Sequence, residues 1–115
     1  MKNDATILDP EIVKELKDIM GQDFLLLFTT YMNDSLNKIS ELKIAIHKED
    51  IDQIRRVSHS LKGSSLNLGV IKIAELCGKI EMSAVQGDKR SFIDLVQSID
   101  TEFSNVCQSI HELIV

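Results

Sequence analysis

At 115 residues, with 43% hydrophobic and 27% charged side chains, the chain has the size and composition of one ordinary globular domain with a single core. A net charge of −5 speaks against nucleic acid as a partner, and no apolar run is long enough to span a bilayer. The N-terminus, Met1 to Thr6, lacks the hydrophobic segment of a signal peptide. We therefore expect a cytoplasmic monomer with no membrane or nucleic-acid partner, one domain over 1–115 with residues 1–8 as a flexible N-terminal segment. Met1 and the complete domain length lead to the expectation of a free-standing protein.

Helical periodicity runs nearly throughout, and strand-like alternation is absent. Asp9-Pro10-Glu11 reads as a helix start, with Asp9 as N-cap and Pro10 in the first turn. Ile12, Val13, Leu16, Ile19 and Met20 follow on one face until Gly21 ends the helix. Gln22-Asp23 opens a long helix to about His47, with Phe24, Leu27, Phe28, Tyr31, Met32, Leu36, Ile39, Leu42 and Ile46 as its apolar residues. Glu49-Asp50 begins a third helix, which Gly69 closes, and a fourth carries Val70, Ile73, Ala74, Cys77, Ile80 and Ala84 inward. Gln86-Gly87-Asp88 forms a turn with Asp88 as the expected cap of a last helix, whose repeat runs Phe92, Leu95, Val96, Ile99, Phe103, Val106, Ile110, Leu113. Short connections make neighbours antiparallel, which predicts an all-α, up-down four-helix bundle with an additional short N-terminal helix. Cys77 and Cys107 fall on apolar stripes and read as free thiols, while His47 and His111 sit where positive charge suits a helix C-terminus.

The third helix carries the residues that need an explanation. At about 100° per residue, Ile54, Val57, Leu61, Ser65 and Leu68 share a buried face, and His59 lies roughly 140° from its centre. Gly63 is one turn further along the outer face and Arg55 one turn before it; Arg56, Lys62 and Leu66 are close by. A glycine inside a helix costs about 1 kcal/mol relative to alanine, so Gly63 asks for a use. An imidazole near neutrality is largely unprotonated and nucleophilic, and histidine can form covalent intermediates. Cations at Lys62 and Arg55 suit a phosphoryl group on the ring, and a bare Gly63 lets another protein approach. An ordinary solvated surface histidine is the plain alternative, and the company of Lys62 and Gly63 weighs against it.

At these residues the chain resembles the histidine-containing phosphotransfer (HPt) family. The motif, histidine followed by x-Leu-Lys-Gly-x-Ser or Ala and then a glycine after apolar residues, is matched at His59, Lys62, Gly63, Ser64, Ser65 and Gly69. The resemblance implies that His59 accepts a phosphoryl group, usually on Nε2, from an aspartate of a response-regulator receiver domain and passes it to the aspartate of another. It implies a hybrid sensor histidine kinase upstream, Mg²⁺ on the receiver rather than on this chain, and no cofactor or ATP-dependent kinase activity of its own. No phosphate loop or kinase motif occurs.

Glu81 falls within the apolar stripe of the fourth helix, where a carboxylate is unexpected without a partner. It is expected either to accept a hydrogen bond from the second imidazole nitrogen, orienting the ring, or to form a seam salt bridge to Lys79, Arg55 or Lys62. Ser64 and Ser65 are expected to let a neighbouring helix pack close, with Ser64 also close to the phosphoryl site; Arg55 is expected as a phosphoryl-stabilising cation, and Gly63, Arg56 and Leu66 on the docking surface. Two other functions compete: an adaptor that binds a receiver without transfer, and a metal-binding bundle. The latter needs inward Glu-x-x-His pairs, whereas His111 and Glu112 are adjacent, and no metal ligand is assigned.

Overall fold

The computed structural model describes residues 7–114 and contains five helices: α1 (Pro10–Met20), α2 (Asp23–His47), α3 (Ile51–Asn67), α4 (Ile71–Gln86) and α5 (Phe92–Ile114). Helices α2 to α5 form the expected bundle, each packing on the next and α5 closing back on α2, while α1 lies against α2. No strand occurs among the described residues.

Several helix ends have a clear local cause. Asp9 caps α1, its carboxylate accepting from the Glu11 and Ile12 amides, with Pro10 at the first position, where a missing N–H costs nothing. Asp50 caps α3 through the Gln53 amide. Gly69 and Gly87 end α3 and α4 with φ of 77° and 74°, a region that side chains other than glycine rarely enter. Gly69 does more than turn the chain. Its carbonyl accepts a 2.8 Å hydrogen bond from the Asp9 amide, and a Cβ there would lie 3.0 Å from the Asp9 Cβ. The end of α3 is therefore the seat of α1.

The core is mainly aliphatic with a few aromatic rings, and its most enclosed side chains include Phe28, Ile39, Leu42, Ile54, Leu61, Ile73, Ile80, Ile99 and Ile110. Of the inward stripe expected on α3 and α4, Ile51 is only partly buried against the core, and the remaining residues are all buried. Several other expectations need correction. Ile7 and Leu8 are buried in the core rather than part of a flexible segment, and the next residue, Asp9, is tied to Gly69; residues 1–6 lie outside the described residues. Leu36 and Ile19 are exposed, and Ser35 rather than Leu36 is fully buried, because the face that α2 buries, Phe24, Phe28, Tyr31, Ser35, Ile39 and Leu42, follows the ordinary helical period through position 35 and leaves position 36 about 100° round the helix. Leu113 is also exposed, and Glu102 is buried on α5. Asp88 does not cap α5: it accepts from the Arg90 amide and guanidinium within the turn, and α5 begins at Phe92. Cys77 and Cys107 are free thiols, and burial pushes Cys77 up to about 12, so it stays a neutral packing group. No helix is long and apolar enough to cross a membrane among the described residues.

Candidate functional site

The geometry of α3 follows from its buried residues. Ile54 and Leu61 are fully buried, and Tyr31 on α2 makes a 2.7 Å hydroxyl–hydroxyl hydrogen bond to Ser65. Burial pushes the Tyr31 phenol up to about 12 against a weaker pull from Ser65, so Tyr31 remains a neutral hydrogen-bonding group. Ser58 is buried too, its hydroxyl donating back to the Ile54 carbonyl at 2.7 Å. With these residues turned inward, His59 must turn out, and its side chain is 69% exposed.

Glu81 on α4 meets His59 across the α3–α4 seam. Its Oε2 lies 2.7 Å from His59 Nδ1, and its Oε1 lies 2.7 Å from the Lys62 ammonium. Glu81 therefore makes both of the contacts expected of it, one to the ring and one across the seam, through its two oxygens. Partial burial of the Glu81 side chain pushes its carboxyl up, but hydrogen bonds and charge from Lys62 and His59 outweigh this and hold it below the ordinary 4.5. Glu81 is thus a carboxylate at neutral pH and can only accept. The neutral ring must then carry its proton on Nδ1, which leaves the Nε2 lone pair free on the outward side.

Gly63 gives that nitrogen room. Apart from its two chain neighbours and its own helix's backbone, no atom among the described residues lies within 4 Å of where a Cβ would stand, so the outer face at Gly63 is open surface. Leu66, one turn beyond Gly63 on the same helix, is 52% exposed.

Other expected site residues are placed elsewhere. Arg55 and Arg56 both pair with Asp52 on their own helix, at 3.0 and 3.3 Å, and neither is brought to the ring. Ser64 is on the opposite flank of α3 from Glu81: its hydroxyl donates to the Leu61 carbonyl at 3.2 Å, and it lines a groove with Leu27, Tyr31 and Asn67. Sequence reasoning missed Asp52, although an acid three and four residues before two arginines on a helix is a readable pairing signal. Among the described residues, no three acidic, histidine or cysteine side chains converge to hold a metal.

An outward imidazole fixed through one nitrogen, beside a cation and a bare glycine on an all-helical bundle, defines a phosphotransfer domain. The Hpt domain family model matches residues 26–109, and the chain belongs to that family, the histidine-containing phosphotransfer domains. It is similar to histidine-containing phosphotransfer protein B of Pseudomonas aeruginosa PAO1, with a TM-score of 0.90, 27% identity and 92% of each chain covered. The fold is also that of the HPT domain of a sensor hybrid histidine kinase from Shewanella, with a TM-score of 0.79, 15% identity and 96% of each chain covered. In sequence it is 31% identical over 83 residues to sensor protein TorS of Escherichia coli strain K12, matching 69% of this chain and spanning 9% of that protein's length.

Proposed function

We propose that this chain is a phosphorelay intermediate that takes a phosphoryl group onto His59 from a receiver-domain aspartate and yields it to the aspartate of a second receiver. The observation that carries this reading is the contact between His59 Nδ1 and Glu81, which leaves Nε2 outward beside Gly63. The Nε2 lone pair attacks phosphorus in line with the aspartyl oxygen. The N–P bond forms, the P–O bond breaks, and its electron pair stays on the aspartate carboxylate. The proton remains on Nδ1, so the phosphorylated ring is cationic and faces the Glu81 carboxylate, which stabilises it. The reverse sequence gives the phosphoryl group to the next aspartate and returns neutral imidazole, with no net proton transfer. Lys62, held within the same cluster, is the cation placed to meet the phosphoryl oxygens.

Mg²⁺ belongs to the receiver in this reading, and the chain itself uses no cofactor. Similarity to a segment of a sensor protein supports a hybrid sensor kinase upstream, and the working form is a cytoplasmic monomer. The decisive experiment incubates the protein with a phosphorylated receiver and follows acid-labile, alkali-stable label. Wild type should take up label and His59→Gln none; label on the variant, or none on wild type, rejects the reading.

A further inference from the structure

Two glycines lie inside helices, Gly63 on α3 and Gly78 on α4, and their surroundings differ. Gly63 faces open space, whereas Gly78 faces Lys62: a Cβ on Gly78 would sit 3.8 Å from the Lys62 Cδ. Gly78 is also one turn before Glu81 on the same helix, so the lysine stem crosses bare α4 backbone on its way to the carboxylate. Nothing in the local backbone requires glycine here. Gly78 does not have positive φ, and a methyl group would make only ordinary contact. Glycine in this position nevertheless costs about 1 kcal/mol of helix propensity relative to alanine. The feature that depends on a short side chain at 78 is the lane taken by Lys62.

We propose that Gly78 is a positioning residue for Lys62: it keeps open the strip of α4 along which the lysine stem lies against Glu81, within reach of a phosphoryl group on His59. This rests on the phosphotransfer reading for its purpose, though the lane itself does not. Lysine is a flexible side chain that loses much rotamer freedom when placed, and here the bare backbone and the carboxylate place it in advance. Its side chain is 32% exposed, which fits a stem covered by α4 and an ammonium at the rim. When His59 carries a phosphoryl group, that group's oxygens compete with Glu81 for the same ammonium, and a short movement of an already positioned chain suffices. A side chain longer than methyl at 78 occupies the lane and turns Lys62 out to solvent.

The test uses the full chain with Gly78→Leu and Gly78→Gln, both good helix formers, with Gly78→Ala and Lys62→Ala for comparison. The Glu81 carboxyl resonance is titrated by carbon NMR, which requires no phosphoryl transfer. Gly78→Leu and Gly78→Gln should move its titration towards the ordinary carboxylate value, as Lys62→Ala does, while Gly78→Ala leaves it in place. Transfer from a phosphorylated receiver is then measured at saturating and sub-saturating receiver. The rate in the bound complex should fall roughly tenfold in Gly78→Leu, the scale of one charge-assisted hydrogen bond, and no further when Lys62→Ala is added. An unmoved Glu81 titration in both long variants overturns the proposal. So does a Gly78→Leu effect that is as large without Lys62 as with it, which would assign the glycine to receiver clearance. A wild type that takes no label rejects the relay reading, while the titration still decides whether Gly78 positions Lys62.

Discussion

Helix α3 is fastened to its neighbours along two seams, and the polar contacts across them are of opposite kinds. Towards α2, Tyr31 and Ser65 meet hydroxyl to hydroxyl inside the core, both less than a tenth exposed. Towards α4, His59 and Lys62 share the Glu81 carboxylate at the rim, where water reaches the ring. The buried pair has no reactive atom left over: both hydroxyls are neutral, enclosed and engaged with each other. The rim cluster engages one nitrogen of the ring and leaves the other free. A buried unpaired polar group is costly, so the first contact works as a register pin for α3, and the second holds a chemically available group at a fixed angle.

Substitutions on the two seams should therefore separate stability from transfer. The largest effect on transfer belongs to His59→Gln, which should abolish phosphoryl uptake while chemical denaturation shows stability within about 0.5 kcal/mol of wild type, as for an exposed position. The largest effect on stability belongs to Tyr31→Phe. It strands the Ser65 hydroxyl in the core and should cost about 1–3 kcal/mol in denaturant unfolding, with His59 still accepting label. Loss of transfer in Tyr31→Phe under native conditions would mean that the α2 seam also sets the ring's position.

Glu81→Gln comes next. The amide oxygen can still accept from Nδ1, but the charge facing Lys62 and the phosphorylated ring is gone. Stopped-flow transfer should slow by about tenfold, and stability should change by no more than about 1 kcal/mol, since the cluster is at the surface. The same carboxylate gives a pH dependence of definite sign. Its folded value lies below the ordinary 4.5, so its contribution to stability is complete above 4.5 and is lost as pH falls through the lower folded value. Denaturation midpoints measured from pH 7 down to 3 should fall more for wild type than for Glu81→Gln over that acid window. Arg55→Ala and Arg56→Ala sit at the bottom of the scale. Each loses an exposed pair with Asp52, and both should transfer within about twofold of wild type with stability changed by less than about 0.5 kcal/mol.

Much of this was legible in the chain because α3 is a strongly patterned helix. Ile54, Val57, Leu61, Ser65 and Leu68 define an inward face on spacing alone, and that face dictates where His59 points. Glu81 stood out for the same reason, as a carboxylate in an apolar stripe. Reading failed where a polar residue takes a core place or a charge finds a nearer partner. Ser35 is buried and Leu36 is not, because apolar character is a poor guide where two adjacent positions compete for one stripe. Arg55 and Arg56 are near His59 in sequence, yet an acid on their own helix claims both. The role of Gly78 was out of reach, since it depends on where a side chain from another helix lies.

The junction of Asp9 with Gly69 bears on how this domain can be cut out for laboratory use. The family match begins at residue 26, inside α2, yet the last glycine of the histidine motif is covered by Asp9 and Ile12 from outside that match, and Ile7 and Leu8 lie in the core. A fragment trimmed to the matched residues would expose the far end of the very helix that presents His59. A fragment that keeps this cover in place begins no later than Ile7.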